Sequence, residues 1–336
     1  MGGWKTGGSR LGSGSDKSSL GEPMPVLERA PTREYLTPVM DSRRWANFAP
    51  RDGDVVVATF PKCGTTWTQR IVDLLIHQNT APRQIMERAP WIDATFFNTI
   101  EDDLANLESQ TQRRAMKSHL PFDALPIYDT VKYVHVARDG RDACFSWHNH
   151  MLGTKPEAGM KIAMNSPIPL DGPPPATPQD PREHYLGWIA RAEAGTGPEM
   201  PFFEYEMTYW RERHRPNLLL VHYNDLKADL PGEMARISQF LEIDTPAATL
   251  AELARAAEFE NMKAQGKDLL AKLDQHFDRG HDRFLNKGVN GRWKDVLTAE
   301  DVGRYEALAA TRLPDGARAW IGSGRLVAGD PRTSAD

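Results

Sequence analysis

The chain has 336 residues, of which 40% are hydrophobic and 26% are charged, and its formal net charge is −5. This composition is typical of a globular protein large enough for one sizeable α/β domain. The negative balance gives no electrostatic reason to expect nucleic acid as a partner. The chain has two cysteines, Cys63 and Cys144, which cannot build a disulfide framework or a zinc knuckle and therefore favour a cytoplasmic protein. The sequence contains no run of 18 apolar residues, so we expect no membrane-spanning helix.

The first elements along the chain are a tail and a strand–loop–helix unit. Residues 1–21 are rich in glycine and serine, so we expect a flexible tail before a single domain over residues 22–336. The β-branched run "GDVVVATF" (53–60) predicts a buried parallel strand, and "TTWTQRIVDLLIHQ" (65–78) has apolar residues at helical spacing. The loop "PKCG" between them therefore meets a helix N-terminus, where backbone N–H groups favour an anion, although its glycine could simply serve a tight turn.

Strands and helices continue to alternate after this unit. The sequences "RRAMKSHLP" (113–121), "KYVHVARDG" (132–140) and "NLLLVHYNDL" (217–226) predict further strands. Residues 141–151 and 231–243 predict helices. This alternation predicts an α/β fold, in which a central, mostly parallel sheet is flanked by helices on both faces.

Two segments interrupt the alternation. Residues 152–182 are rich in proline and glycine, which predicts a long loop able to act as a lid, or a disordered segment without function. Residues 278–295 are polar, punctuated by glycine and basic near the centre, which predicts a loop that contacts phosphate.

Six segments together resemble the cytosolic sulfotransferases. "TFPKCGTTWTQRIV" resembles the family's 5′-phosphosulfate loop, usually PKSGTTW, and "YVHVARDGRDACFSW" resembles its 3′-phosphate segment. "KSHLP" resembles the strand end that carries the family's catalytic histidine. The remaining three are "HYNDLKAD", "AEFENMK" and "FLNKGVNGRWKD", the last usually RKGxxGDWK. All six follow the family's order over residues 45–298, and the length and proline-rich insert are similar to bacterial members, including mycobacterial glycolipid sulfotransferases.

The resemblance implies a P-loop-like domain that uses 3′-phosphoadenosine-5′-phosphosulfate (PAPS) as donor and needs no metal. The acceptor would be a hydroxyl or amine of a small molecule or lipid. His119 would be the general base, since imidazole titrates near working pH, whereas the alternative is a structural histidine at a strand end. Lys62 would stabilise the leaving oxygen, and Lys117 would add positive charge. The donor-binding residues implied are Lys62, Cys63, Gly64, Thr65, Thr66, Trp67, Arg138, Ser146, Tyr223, Phe259, Phe284, Leu285, Asn286, Lys287 and Gly288.

Three departures from the family pattern matter for the expected site and assembly. Cys63 replaces the usual serine of the phosphate loop, so a weak thiol donor replaces a hydroxyl. Asn286 replaces an arginine beside the 3′-phosphate, which removes one positive charge. Of the dimer motif KxxxTVxxxE, Lys294 and Thr298 fit but the following positions do not, so the sequence leaves the oligomeric state open.

Two other functions remain possible on sequence grounds. A nucleotide kinase could use the same scaffold, but the lysine of the GxxxxGK[ST] loop is missing and no clear magnesium-binding aspartate follows a strand. A non-catalytic nucleotide-binding module would be expected to lack Lys62 or His119, and both are present.

The acceptor cannot be identified from the sequence, although several aromatic residues could wall an apolar acceptor pocket. Ordinary core packing explains the same residues equally well. They are Trp91, Phe96, Phe97, Trp147, Tyr205, Tyr209 and Trp210.

Overall fold

The fold is built on a four-stranded parallel sheet. The computed structural model describes residues 25–170, 172, 175–196 and 200–336, so the tail predicted for residues 1–21 lies outside the described residues. The central sheet has the strand order β3-β2-β5-β6, and a separate antiparallel pair is formed by β1 and β4. The strands are β1 (Leu27–Arg29), β2 (Val55–Ala58), β3 (Ala115–Ser118), β4 (Ile127–Tyr128), β5 (Lys132–Ala137) and β6 (Leu218–His222).

The sheet is buried on both faces, as its uninterrupted apolar strands predict. Along β2, Val55 and Val57 pack into one hydrophobic cluster, whereas Val56 and Ala58 pack into another on the opposite face. This alternation follows from the two-residue repeat of a strand. The predicted α/β architecture, with a parallel sheet between helices, is confirmed.

Helices cover both faces of the sheet, and none of those in the described ranges combines the length and apolarity needed to cross a membrane. Short 3₁₀ helices span Ser42–Asn47, Phe122–Ala124, Ala271–Gln275, Arg292–Asp295 and Pro331–Thr333. The α-helices are α1 (Thr65–His77), α2 (Ile85–Arg88), α3 (Ile100–Ser109), α4 (Gly140–Gly153), α5 (Pro156–Met164), α6 (Pro181–Ala194), α7 (Phe202–Trp210), α8 (Tyr223–Ala228), α9 (Leu230–Phe240), α10 (Ala247–Ala257), α11 (Phe259–Ala264), α12 (Gly266–Leu270), α13 (Gly280–Phe284), α14 (Ala299–Arg312), α15 (Asp315–Ser323) and α16 (Arg325–Ala328).

Two predicted elements differ from the structure. The strand predicted over residues 217–226 ends at His222, because the His222 imidazole accepts the backbone N–H of Asn224 at 3.1 Å and caps helix α8. The proline-rich segment 152–182 is not one long loop, since it contains helix α5. Pro156 lies in the first turn of α5, where proline is tolerated because its missing N–H has no helical partner.

The carboxyl ends of the parallel strands meet at one edge of the sheet. The loop of residues 61–64 lies between β2 and α1, and His119 follows β3 directly. Arg138 follows β5 and Tyr223 follows β6. Ligands of open α/β sheets bind at this edge, so the topology brings these segments together in one place.

Candidate active site

The loop between β2 and α1 adopts a backbone that few residues tolerate. Lys62 has a φ of 70° and Gly64 a φ of 111°, both in the left-handed region. A Cβ atom on Gly64 would lie 2.9 Å from Cδ2 of Tyr223. Glycine at this position therefore serves both the turn and the close approach of the Tyr223 ring.

The N-terminus of helix α1 lies beside this loop. No side chain among the described residues caps it, and Thr65 and Thr66 both line the adjacent cavity. The Oγ1 atoms of Thr65 and Thr59 are 2.6 Å apart, which ties the start of the helix to the end of β2. An uncapped helix start beside hydroxyl groups provides donors for an anion.

Lys62 is half-buried and lies near other cations. Its Nζ atom is 3.4 Å from Nδ1 of His150 and 4.4 Å from the centre of the Phe284 ring. Burial, followed by repulsion from Lys117 and Arg138, lowers the pKa of Lys62 to about 7. A negatively charged ligand in this cavity would relieve that repulsion.

His119 is held in one tautomer by the main chain. Its Nδ1 lies 2.7 Å from the carbonyl oxygen of Thr59, and because a carbonyl can only accept, Nδ1 carries the hydrogen. The neutral ring therefore has its lone pair on Nε2. Burial, with the nearby charge of Lys117, holds the pKa of His119 well below its usual range, so the ring is neutral at pH 7.

Asp93 holds the backbone of His119 in place. Its carboxylate accepts the backbone N–H of His119 at 3.1 Å and the indole N–H of Trp91 at 2.7 Å. The Trp91 ring meets the His119 ring edge to face, with 4.8 Å between centres. The Nζ atom of Lys117 lies 3.9 Å from the centre of the Trp91 ring. Burial lowers the pKa of Lys117 to about 8.

Arg138 begins a second positive region of the same cavity. Its guanidinium stacks over the Tyr223 ring at 4.2 Å and donates to the carbonyl of Lys62 at 3.0 Å. It also donates to the side-chain oxygen of Asn290 at 3.0 Å. This contact connects the end of β5 to residues 285–291, which we call the C-terminal loop. Among the described residues Arg138 forms no ion pair with Asp139, which pairs instead with Arg141.

The C-terminal loop packs against Phe259, one of the two aromatic residues predicted at the adenine. Gly288 has a φ of 60°, and a Cβ there would lie 2.7 Å from the ring of Phe259. Trp67, the other aromatic residue predicted at the adenine, donates its indole N–H to the carbonyl of Ala257 at 2.7 Å and contacts Tyr223 edge to face. The rings of Trp67 and Phe259 both border the cavity.

A cavity of about 660 Å³ connects these groups. The side chain of Cys63 is the exception among the predicted site residues, because it is buried in the hydrophobic core below the loop. The predicted residues that do line the cavity are Lys62, Gly64, Thr65, Thr66, Trp67, Lys117, His119, Arg138, Ser146, Tyr223, Phe259, Phe284, Leu285, Asn286, Lys287 and Gly288.

The other half of the cavity is apolar. Four of the seven aromatic candidates line it, namely Trp91, Phe96, Phe97 and Trp147. The other three, Tyr205, Tyr209 and Trp210, belong to the core instead, where the two tyrosine hydroxyls donate to the carbonyl of Leu120. Helix α5 closes one side of the apolar half.

Three charged or polar site residues were missed by sequence reasoning. His150 lies one helical turn after Ser146 on α4, a spacing that places both on one helix face and that the sequence does display. Arg292 stands where the pattern RKGxxGDWK has aspartate, so the departure itself was a signal. Asp93 offered no local signal, because its contact with His119 arises from tertiary packing.

Both the sequence and the fold are similar to those of known proteins. The family model described as "Sulfotransferase domain" matches residues 52–315. A glycolipid sulfotransferase of Mycobacterium bovis is 30% identical over 320 residues, which cover 90% of this chain and 96% of the relative. Sulfotransferase 1 family member D1 of Rattus norvegicus is 25% identical, with 77% and 83% covered. The crystal structure of retinol dehydratase in a complex with retinol and PAP superposes with a TM-score of 0.62 at 25% identity, with 82% and 85% covered.

Proposed function

The chain belongs to the sulfotransferase family and transfers a sulfuryl group from PAPS, and we propose that His119 and Lys62 carry the chemistry of this transfer. The observation that supports the assignment most strongly is the fixed tautomer of His119, in a cavity that Lys62 also lines. A neutral imidazole with its lone pair on Nε2 can accept a proton, and a nearby ammonium can stabilise a developing negative charge.

The proposed reaction is an in-line displacement at sulfur. The acceptor oxygen or nitrogen forms a bond to sulfur while its proton passes to Nε2 of His119. The bond between sulfur and the bridging oxygen breaks, and its electron pair remains on the 5′-phosphate. Lys62, in its ammonium form, stabilises that oxygen, because the charge there is larger in the transition state than in the bound donor. Lys117 adds a second positive charge at the same end of the cavity.

We assign the donor to the polar half of the cavity. The uncapped start of helix α1, with Thr65 and Thr66, would bind the 5′-phosphosulfate. Trp67 and Phe259 would enclose the adenine, and Tyr223 borders the same region. Backbone groups of the loop, rather than the buried thiol of Cys63, would complete the phosphate contacts. The residues assigned to the 3′-phosphate side are Arg138, Ser146, Asn286, Lys287 and Gly288, with Phe284 and Leu285 beside them.

We propose an apolar acceptor that presents a hydroxyl or an amine. The aromatic half of the cavity suits a ring system or lipid segment, with the reactive group directed toward His119. The similarity to a glycolipid sulfotransferase and to a retinol-bound structure supports an acceptor of this class. The cytoplasmic location suggested by the two cysteines, which are both free and buried, belongs to this proposal as well.

Helix α5 is the proposed lid over the acceptor. Ala158, Gly159 and Ile162 line the cavity from one face of this helix. Met160 and Met164 are 59% and 85% exposed on its other side. A short helix with few buried side chains can open at low cost, so we propose that it moves to admit apolar acceptors.

A panel experiment tests the proposal directly. The protein is incubated with labelled PAPS and separate alcohols, phenols, amines and glycolipids, and products are identified by mass. Transfer to at least one apolar acceptor, absent for Lys62→Ala, supports the assignment. Transfer of phosphate from ATP with magnesium, in place of sulfuryl transfer from PAPS, would favour the kinase alternative.

A further inference from the structure

Arg292 lines the polar half of the cavity. Arg292 opens the 3₁₀ helix Arg292–Asp295 and is half-buried. Throughout the described ranges, no hydrogen bond or ion pair engages its side chain. Its five N–H donors are therefore available to a ligand in the cavity.

The two residues next to Arg292 are anchored by contacts with helix α4. The backbone N–H of Gly291 donates to the carboxylate of Asp142 at 2.7 Å. On the other side, the Trp293 ring lies 4.1 Å below the guanidinium of Arg141. These two contacts hold the base of the Arg292 side chain at the cavity wall, so its position there does not depend on a mobile loop.

The charges that surround Arg292 are mostly positive. Burial, then the proximity of Arg138, lowers the pKa of Arg292, and Arg292 in turn contributes to the lowered pKa of Lys62. Asp142 is an acidic group that partly offsets this repulsion, and its carboxylate also accepts the Gly291 N–H. Clustered cations of this kind favour the binding of an anion, which would relieve the repulsion between them.

We propose that Arg292 binds the 3′-phosphate of the donor and supplies the positive charge that Asn286 lacks. The assignment rests on the proposed function, because it requires the nucleotide to lie in this cavity. Compared with the pattern RKGxxGDWK, the chain has asparagine at the first position and arginine at the sixth position after it. The segment therefore still places one guanidinium at the cavity, but it does so from residue 292 instead of residue 286.

Titration calorimetry with two nucleotides tests the proposal. The ligands are adenosine 3′,5′-bisphosphate (PAP) and adenosine 5′-monophosphate, which differ only in the 3′-phosphate. Arg292→Ala should weaken PAP binding by about tenfold or more, since charge-assisted bonds to phosphate are among the strongest hydrogen bonds. Binding of the monophosphate should stay unchanged. Lys294→Ala removes the same charge from an exposed position of the same 3₁₀ helix and should leave both affinities near wild type.

Two further measurements separate the possible failures. Unchanged monophosphate binding shows that the Arg292→Ala variant is folded, and in the double variant Asn286→Arg/Arg292→Ala most of the lost PAP affinity should return. Equal weakening for both nucleotides, or no weakening for PAP, would overturn the role of Arg292. Wild-type protein that fails to prefer PAP over the monophosphate would instead overturn the proposed donor site.

Discussion

The Nζ atom of Lys62 lies 3.4 Å from Nδ1 of His150, on the inner face of helix α4. His150 is half-buried, and desolvation together with the charge of Lys62 holds the pKa of this imidazole well below its usual range. Neutral His150 can therefore accept a hydrogen bond from the ammonium without adding a charge. This contact positions the side chain of Lys62, whose pKa is lowered to about 7.

Nucleotide binding should take up protons at mildly alkaline pH. Lys62, with a pKa of about 7, and Lys117, with a pKa of about 8, are largely neutral in the free protein at pH 8.5. A bound anion favours their charged forms and raises both pKa values, so the complex holds more protons than the free protein. By linkage, PAP affinity should fall as the pH rises from about 7.5 to 9, a range in which the phosphates no longer titrate.

Calorimetry in buffers of different ionisation enthalpy measures this uptake. At pH 8.5 the wild type should take up a sizeable fraction of a proton, and Lys62→Met should take up less. His214→Ala, which changes an exposed histidine, serves as the control and should match the wild type. Proton release, or equal uptake in Lys62→Met, would contradict the assignment of Lys62 to the anion site.

Replacing Gly64 with alanine should damage both folding and nucleotide binding. The new Cβ would lie 2.9 Å from the Tyr223 ring, at a φ of 111° that alanine rarely adopts. Backbone strain of this type costs on the order of 1–3 kcal/mol. Chemical denaturation should therefore show a loss of this size in the free energy of unfolding, with weaker PAP binding.

Gly303→Ala is the matched control for this strain. A Cβ on Gly303 meets nothing within 4 Å, and this glycine lies inside helix α14. Alanine is the better helix former, so the control should be stabilised by up to about 1 kcal/mol. If Gly64→Ala were equally stable and bound PAP normally, the tight approach of Tyr223 would have no functional consequence.

Substitutions on the cavity-facing side of helix α5 should change the KM of the acceptor and leave the affinity for the nucleotide unchanged. Ile162→Asn places an amide in the apolar half of the cavity, which should raise the acceptor KM several-fold because a polar group is then buried against the acceptor. Affinity for PAP should remain unchanged. Met164→Asn is the control on the same helix, since Met164 is 85% exposed.

Initial rates at varied acceptor concentration give the KM of both variants, and calorimetry gives their PAP affinity. A loss of PAP affinity in Ile162→Asn with an unchanged acceptor KM would place helix α5 over the nucleotide and contradict its role as an acceptor lid.

The sheet could be predicted because its signals are local. Strand β2 is a run of β-branched residues, and both faces of such a run must be buried, which requires helices on each side. The end of β6 could not be predicted, because the side chain of His222 caps α8 and converts the following residues to helix. Helix α5 was missed because proline and glycine dominate its surroundings, although Pro156 is in a position that starts helices.

The candidate site was predictable where one segment carries it and unpredictable where distant segments meet. The loop of residues 61–64, His119 and Arg138 each follow a strand, and the parallel topology brings them together. The contact between Lys62 and His150 depends on how α4 packs across the loop, which no local pattern specifies. The same holds for Tyr205 and Tyr209, whose buried hydroxyls are satisfied by one carbonyl in the core rather than by an acceptor.

Turnover of His119→Ala, measured with its PAP affinity, tests the central claim most directly. Loss of the base should lower kcat by about 100-fold or more, because general bases contribute 10²–10⁴-fold. The Kd for PAP should remain near the wild-type value, since His119 contacts the acceptor rather than the nucleotide in our account. A kcat close to wild type would contradict the role of His119 as the base in sulfuryl transfer.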